Sequence, residues 1–242
     1  MQHSKRKLLL ISAHPDDDSL AGGTMTALAS AGWSIYEFVC TSGKNGKPNQ
    51  SEKGEQVMAQ ARAEEIGLFM KQIGGYEPYI YDNGKEFLEF SEHIVLELVT
   101  QLRAIRPDVI VLLNSQDYHF EHRLAHEIGL RALEIAFRSA NLELGEKISH
   151  GIILQADGLN VLANPLIHFS TEKSFTRSLE ACHNAYGERL GDLKRFMEGL
   201  AMMRGARVGK NTAEAFDLLN PPWYKLTSVA AEILAEFTSL GS

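Results

Sequence analysis

The stretch Leu-Leu-Leu-Ile-Ser-Ala-His-Pro-Asp-Asp-Asp, residues 8–18, joins an apolar run to a histidine and three aspartates. Such a run, followed by a proline and then by a helical pattern, predicts a buried β-strand that ends in a tight turn. Neighbouring carboxylates at the end of a buried strand repel one another and resist burial unless a positive charge compensates them. Because a bound divalent metal supplies that charge, the stretch indicates a metal site at the carboxyl end of the first strand.

Helix capping is the alternative explanation for these aspartates. Asp17 or Asp18 alone is able to cap a helix that starts near Ser19, where negative charge also suits the helix dipole. Capping accounts for one aspartate, but it leaves the others and His14 unexplained. On this stretch alone, the metal site and the cap both stay open.

The composition favours a cytoplasmic protein that acts on a small molecule. The chain has 242 residues, of which 44% are hydrophobic, and both values suit one large α/β domain with a full core. The formal net charge of −7 argues against a nucleic-acid backbone or an anionic membrane surface as the main partner, and a neutral or cationic small substrate fits it better. No apolar run is long enough to span a bilayer, so we expect no stable membrane insertion. The two cysteines, Cys40 and Cys182, lie far apart in apolar patterns and indicate reduced, buried thiols.

Strand and helix patterns alternate along the first half of the chain. Apolar runs and helical spacing predict strands at 8–13, 35–41, 79–81 and 109–113, and helices at 19–31, 56–72, 87–105 and 119–139. This alternation predicts an α/β fold: a Rossmann-like, mostly parallel sheet with helices on both faces. In such folds, ligands bind outside the carboxyl ends of the strands.

The pattern changes beyond residue 141. Short strands are predicted at 152–155 and 166–169, and helices at 172–186 and 189–203. Because no linker rich in proline or serine separates the two parts, we expect a single domain over residues 1–242. Residues 1–140 are its parallel α/β core, and residues 141–242 are a C-terminal extension that packs on the sheet and contributes to the substrate pocket.

A second group of polar side chains directly follows the fourth predicted strand. It runs from Asp117 to Arg123 and includes His119 and His122, with His126 beyond it. The histidines are spaced by three and four residues, so they share one face if the segment is helical, and two of them can reach one site. A solvated helix face is the alternative, since His, Glu and Arg are common there. Two ligand-rich strand ends in one parallel sheet can meet, which favours the metal hypothesis.

Two further segments have ordinary explanations of their own. Arg62 lies beside Glu64 and Glu65 on a predicted helix, and a surface helix with salt bridges accounts for such a pattern. The sequence Asp-Asn-Gly at residues 82–84 is a turn signal.

Several other chemistries lack their sequence motifs. The first strand is not followed by GxGxxG, and no GxxxxGK[ST] or GxSxG motif occurs, so the sequence does not support a dinucleotide site, a phosphate-binding loop or a serine hydrolase of that type. No paired CxxC occurs either, which argues against a thiolate zinc site.

Taken together, these residues resemble the PIG-L / LmbE-like family of zinc-dependent N-deacetylases. The family's first motif, AHPDDE at the end of strand one, is matched by residues 13–18, with Asp18 in place of the glutamate. Its second motif is a histidine, two residues, then a histidine and a basic residue. Residues 119–123 match it, with Glu121 at a position that is often aspartate. Shorter similarities to the family's loop after strand two, its Arg-x-Glu helix and a late histidine segment lie at residues 41–43, 62–65 and 181–183.

The resemblance implies a role for each matched residue. The implied metal ligands are His14, Asp17 and His122. Asp16 is implied as the general base, and His119 as the second catalytic residue, near the substrate carbonyl. Arg62 and Asp82 are the candidate substrate-binding residues. The change at Asp18 removes no implied ligand, but it shortens a side chain that supports the ligands.

The implied activity is that of a metal-dependent hydrolase that removes the acetyl group from an N-acetylglucosamine-type sugar or glycoconjugate. One zinc ion per chain, or another divalent metal such as Fe²⁺, activates water for attack on the acetamide carbonyl and gives acetate and a free amine. One alternative is a metallo-phosphoesterase with the same ligands, which normally needs a second metal. The other is an inactive sugar- or metal-binding protein, which has no need of Asp16 and His119. Members of the family are often homo-oligomers, so a homo-oligomeric state of this protein stays open.

Overall fold

The computed structural model describes residues 5–44, 52–82 and 87–242. The strands of this part of the chain are β1 (Lys7–Ser12), β2 (Ser34–Val39), β3 (Tyr79–Ile80), β4 (Val109–Leu112), β5 (Ile152–Ala156), β6 (Ile167–Ser170) and β7 (Ala213–Leu219). They form a seven-stranded sheet in the order β3-β2-β1-β4-β5-β7-β6. The longer helices are α1 (Gly22–Ser30), α2 (Glu52–Ile73), α3 (Glu92–Ile105), α4 (Phe120–Phe137), α5 (Phe175–Tyr186), α6 (Gly191–Arg207) and α7 (Ser228–Leu240).

The sheet is mostly parallel. Strands β1 to β5 pair in parallel, whereas β7 runs antiparallel to both β5 and β6. The predicted Rossmann-like α/β fold, with short strands and helices in its C-terminal extension, is therefore confirmed. Strands β5, β6 and β7 of that extension belong to the same sheet as β1 to β4.

The apolar run of β1 is buried on both faces of the sheet. Leu8 and Leu10 point into one core cluster, which also contains Met25 of α1. Leu9 and Ile11 point into the opposite cluster, with side chains of α3 and α4. Side chains alternate between the two faces of a strand, so nearly every position of a parallel strand that is covered on both faces is apolar. This is the physical reason why the run appears continuous in the sequence.

Several predicted boundaries differ from the structure. The predicted helix at 19–31 divides into a short 3₁₀ helix, Asp17–Ala21, and α1. The predicted helix at 87–105 begins only at Glu92, because Ser91 caps α3 by accepting a hydrogen bond from the Ile94 amide. The predicted helix at 56–72 begins four residues earlier, since α2 starts at Glu52, and residues 45–51 before it lie outside the described residues. Residues 83 and 84 of the predicted turn also lie outside them.

Two elements near the C-terminus, β7 and α7, were not predicted. Strand β7 carries Glu214 and Asp217 between its apolar residues, which hides its strand signal. The acidic residue at position 214 is explained by a tertiary contact: the Glu214 carboxylate accepts hydrogen bonds from the Gly23 and Thr24 amides at the start of α1. A residue 190 positions away thus stabilises the first turn of that helix.

Both cysteines are free and buried, as the sequence predicts. Among the described residues, no helix has the length and apolarity that crossing a bilayer requires.

Candidate functional site

The two polar segments identified in the sequence meet at one edge of the sheet. Strands β1 and β4 are parallel neighbours, so the residues that follow them emerge side by side. One ring nitrogen from each of His14, His119 and His122 lies within 4.8 Å of the others. The ring centroids of His119 and His122 are 4.8 Å apart, and those of His14 and His119 are 4.9 Å apart. The structure therefore brings the histidines of both motifs into one cluster.

Asp17 lies against two of these histidines, His14 and His122. Its Oδ1 is 3.1 Å from Nε2 of His122, and its Oδ2 is 3.6 Å from Nδ1 of His14. Oδ2 also accepts hydrogen bonds from the Ala13 and His14 amides, at 3.0 and 2.8 Å, which fixes the carboxylate. Burial by itself raises the pKa of Asp17, but the charges of His122 and His14 outweigh it and hold the pKa well below its usual range.

Helix capping does not account for the side-chain positions of these aspartates. Asp17 directs its carboxylate back to the amides of Ala13 and His14 and not forward into the following helix. Asp16, the N-cap residue of the 3₁₀ helix, makes no side-chain capping hydrogen bond. Asp18 is buried and accepts a 2.5 Å hydrogen bond from the Tyr186 hydroxyl of α5.

Each histidine beside Asp17 also faces a second carboxylate. Nε2 of His14 is 2.7 Å from Oε2 of Glu121, and Nδ1 of His122 is 3.4 Å from Oδ2 of Asp117. Burial opposes the charged form of both histidines, yet the carboxylates of Asp17 and Glu121 raise the pKa of His14 to about 10. Asp17 and Asp117 likewise raise the pKa of His122 to about 9.

This arrangement fits a divalent metal. Carboxylates that hold the outer nitrogen of a histidine are typical around metal ligands, because they orient the ring and make it more basic. Nδ1 of His14 and Nε2 of His122 face Asp17, and such a set of nitrogen and oxygen donors suits zinc and similar ions. The buried Nδ1 of His122 also lacks a hydrogen bond of good geometry, and a metal on the other ring nitrogen would favour the tautomer whose Nδ1–H donates to Asp117.

His119 has a different environment from the other two histidines. Burial and the charges of His14 and His122 lower its pKa, so the neutral form is favoured. Its Nδ1 is buried without a hydrogen-bond partner in the described structure. Its backbone amide donates to Oδ1 of Asp117 at 2.9 Å, which anchors the start of α4 beside the cluster.

A cleft of about 450 Å³ opens over these side chains. The cleft is lined by all the residues that the sequence suggested for chemistry or binding, which are His14, Asp16, Asp17, Arg62, Asp82, His119 and His122. Nη1 of Arg62 lies 3.4 Å from Oε2 of Glu65, and Oδ1 of Asp82 lies 3.7 Å from Nζ of Lys44. His126 is not part of the cluster, because its Nδ1 is hydrogen-bonded to the Leu113 carbonyl at 2.8 Å. His183 of the late histidine segment is exposed.

Arg189 is a residue of the site that sequence reasoning missed. It lies in the short helix Gly187–Leu190 of the C-terminal extension, and its guanidinium contacts Oδ2 of Asp16 and, at 2.5 Å, Oε2 of Glu65. The guanidinium also lies 5.1 Å from the centre of the Tyr186 ring. Burial and the charge of Asp17 raise the pKa of Asp16, and Arg189 opposes this shift. No local motif marks this arginine, so only the fold reveals it.

Comparison with known proteins assigns the chain to a family. The family model described as PIG-L, GlcNAc-PI de-N-acetylase, matches residues 9–133, which is more than half of the chain and contains both histidine motifs. The chain belongs to the PIG-L family. The resemblance derived from the sequence is thereby confirmed.

Curated relatives in the PIG-L family are deacetylases. The 1D-myo-inositol 2-acetamido-2-deoxy-alpha-D-glucopyranoside deacetylase of Salinispora arenicola is 29% identical over 161 residues, which cover 54% of this chain and 51% of the relative. The diacetylchitobiose deacetylase of Thermococcus kodakarensis is 27% identical over 135 residues, which cover 54% of this chain and 50% of the relative. The chain thus spans about half the length of the curated relatives that it matches.

Solved structures share the fold of this PIG-L chain. The N,N'-diacetylchitobiose deacetylase from Pyrococcus horikoshii superposes with a TM-score of 0.77 at 21% identity, covering 92% of this chain and 87% of its own. GalB, the 4-carboxy-2-hydroxymuconate hydratase from Pseudomonas putida, superposes with a TM-score of 0.79 at 19% identity, covering 92% of this chain and 100% of its own. A hydratase and a deacetylase therefore share this fold, and the reaction must be argued from the site.

Proposed function

We propose that the protein is a metal-dependent N-deacetylase that hydrolyses the acetamide of an N-acetylglucosamine-type sugar to acetate and a free amine. The observation that carries the proposal is the convergence of His14, Asp17 and His122 with Asp16 and His119 in one cleft. Membership of the PIG-L family supports it, and so does the deacetylase activity after which the curated relatives are named. The cytoplasmic location, the single domain over 1–242 and any homo-oligomer stay predictions.

The residues that would hold the metal are His14, Asp17 and His122. When bound there, a divalent ion such as zinc lowers the pKa of water towards neutrality and polarises a carbonyl oxygen. Glu121 and Asp117 keep the two histidines oriented, because each lies against the outer nitrogen of one ring.

Asp16 is assigned to proton transfer. Its Oδ2 is held by Arg189, so Oδ1 is the oxygen that takes the proton of the attacking water. The same carboxyl group then delivers a proton to the amide nitrogen as the C–N bond breaks, and acetate and the amine leave. Burial and the Asp17 charge raise the pKa of Asp16, which brings the group closer to the working pH of a base.

His119 is assigned to the carbonyl oxygen of the substrate. A neutral imidazole N–H donates a hydrogen bond to this oxygen as negative charge develops on it, and such a donor is typically worth ~3 kcal/mol. Arg62 and Asp82 line the same cleft and are assigned to the hydroxyl groups of the sugar.

The experiment is an amine-release assay with a panel of N-acetylglucosaminides on the zinc-loaded protein, together with the metal content per chain. We expect one zinc ion and equal amounts of acetate and amine. Hydrolysis of phosphate esters without amine release, at two metals per chain, would instead establish the phosphoesterase. Sugar binding without any turnover would establish the inactive binding protein.

A further inference from the structure

The mouth of the cleft carries two large, exposed aromatic side chains. Phe87 and Phe120 both line the cleft, and their side chains are 54% and 47% exposed. Their ring centroids are 6.1 Å apart, and the ring planes are tilted by 60°. Adjacent exposed rings at the entrance of a pocket mark a binding surface, because a ligand that covers them removes apolar area from water.

Phe120 connects this pair to the catalytic side chains. Its ring stacks on the ring of His119, with centroids 5.7 Å apart and an angle of only 11° between the planes. Phe87 contacts Phe120, and among the described residues it has no ring contact with a histidine. The aromatic surface therefore begins beside His119 and leads outward to the mouth of the cleft.

This direction determines which part of a substrate meets the two phenylalanines. The acetamide must lie beside His119 and the metal ligands for the proposed reaction. The acetylated sugar then fills the inner cleft, and any group linked to that sugar extends towards Phe120 and Phe87. The face of an aromatic ring is electron-rich and attracts the C–H groups of another ring.

The charged side chains of the cleft argue for an uncharged group at this position. Arg189 contacts Asp16 and Glu65, Arg62 lies against Glu65, and Lys44 lies against Asp82. These cations already face carboxylates, so an anionic group such as a phosphate would have to displace those partners.

We propose that Phe87 and Phe120 form a second binding position, which takes an uncharged ring linked to the acetylated sugar. The preferred substrate is then a glycoside or an oligosaccharide rather than free N-acetylglucosamine. This inference rests on the proposed deacetylase function. Binding energy from the linked ring is available to hold the acetamide in place for the reaction, so its effect falls on kcat/KM.

The test compares kcat/KM of the zinc-loaded protein for N-acetylglucosamine, phenyl N-acetyl-β-glucosaminide and N,N'-diacetylchitobiose. We expect kcat/KM at least ~10-fold higher for one or both ring-bearing substrates. The better of the two shows whether the position takes an aromatic ring or a second sugar. Phe87→Ala is expected to remove most of this preference. Its kcat/KM for N-acetylglucosamine is expected to stay within about twofold of the value for the unsubstituted protein.

Phe90→Ala is the matched control. Phe90 belongs to the same segment and is 52% exposed, but it is not among the residues that line the cleft. This variant is expected to leave all three values unchanged. Equal kcat/KM for the three substrates, or an equal loss for all of them in Phe87→Ala, would overturn the inference.

A binding measurement separates this inference from the proposed function. If no substrate releases acetate, the deacetylase proposal fails. Calorimetry with glucosamine and phenyl β-glucosaminide then tests the aromatic position by itself. Tighter binding of the phenyl compound that is lost in Phe87→Ala supports the position, and equal binding of the two compounds overturns it.

Discussion

Three adjacent aspartates have three different environments, although their side chains are identical. Asp17 accepts backbone hydrogen bonds and faces two histidines, Asp18 is buried against the Tyr186 hydroxyl, and Asp16 contacts Arg189 at the cleft. The turn after β1 points each carboxylate in a different direction. The proposed roles in metal binding and proton transfer thus fall on Asp17 and Asp16, whereas Asp18 packs against α5.

At the residue scale, Asp16→Asn is expected to lower kcat by about 10²- to 10⁴-fold, which is the usual contribution of a general base. The variant is expected to keep its zinc, because Asp16 is not an assigned ligand. Acetate release and metal analysis of the same sample check both points. If the variant instead loses its metal and regains activity when zinc is added back, the roles of Asp16 and Asp17 are wrongly assigned.

His122→Ala is the companion variant and is expected to lose zinc. His126→Gln is its control, since His126 lies on the same helix, outside the histidine cluster, with its ring bonded to the Leu113 carbonyl. Retention of zinc by His122→Ala would contradict the ligand assignment.

At the scale of elements, the C-terminal end of α4 depends on one buried arginine of α3. Arg103 is only 4% exposed. Its guanidinium donates hydrogen bonds to five carbonyl oxygens, those of Ile135, Arg138, Ala140, Asn141 and Gly145. These carbonyls belong to the last turn of α4 and the segment after it, and those of Ile135 and Asn141 also accept from the Arg138 and Leu144 amides. Arg103 thus joins α3 to the helix that carries His119 and His122 at its start.

Arg103→Met is expected to lower the free energy of unfolding by about 3 kcal/mol, because the hydrogen bonds from a buried, charged side chain to five carbonyl oxygens are lost. Urea denaturation measures the change. Arg131→Met is the control: the Arg131 side chain is 52% exposed and pairs with Glu134 on the surface, so a change within about 0.5 kcal/mol is expected. Equal stability of the two variants would contradict this role for Arg103.

At the scale of the whole molecule, the C-terminal extension completes the site that the first half begins. The loop after β5 supports Asp117, since the Leu159 amide donates to its Oδ2 at 2.8 Å. Gly158 lies so close that a Cβ there would be 2.2 Å from the same oxygen. Arg189 comes from the extension as well, so residues beyond 141 contact both Asp16 and the carboxylate behind His122.

Gly158→Ala is expected to weaken zinc binding by about 10- to 100-fold, because the added methyl group displaces Asp117 from His122. Competition with a chelator measures the affinity. Gly199→Ala in α6 is the control, since nothing lies within 4 Å of its added Cβ. That variant is expected to keep its zinc affinity and to gain up to about 1 kcal/mol of stability. Unchanged affinity in Gly158→Ala would show that Asp117 does not support the metal site.

The sequence by itself determined the parallel half of the fold and the two histidine motifs. These signals are local: residues 8–11 are apolar because both faces of β1 are covered, and His119 and His122 are spaced to reach one site from the start of a helix. The family resemblance used the same short stretches. For this reason the order of strands and helices in the first half was predictable without coordinates, apart from shifts of a few residues at their ends.

Only the tertiary structure decided which side chains face one another. Arg189 and Asp16 are 173 positions apart, and Tyr186 and Asp18 are 168 positions apart, so no periodicity or motif relates them. Strand β7 was missed because its Glu214 caps a distant helix, which makes the strand less apolar than its neighbours. Such pairs depend on how the C-terminal extension packs against the sheet, and packing is a property of the whole chain and not of any short segment.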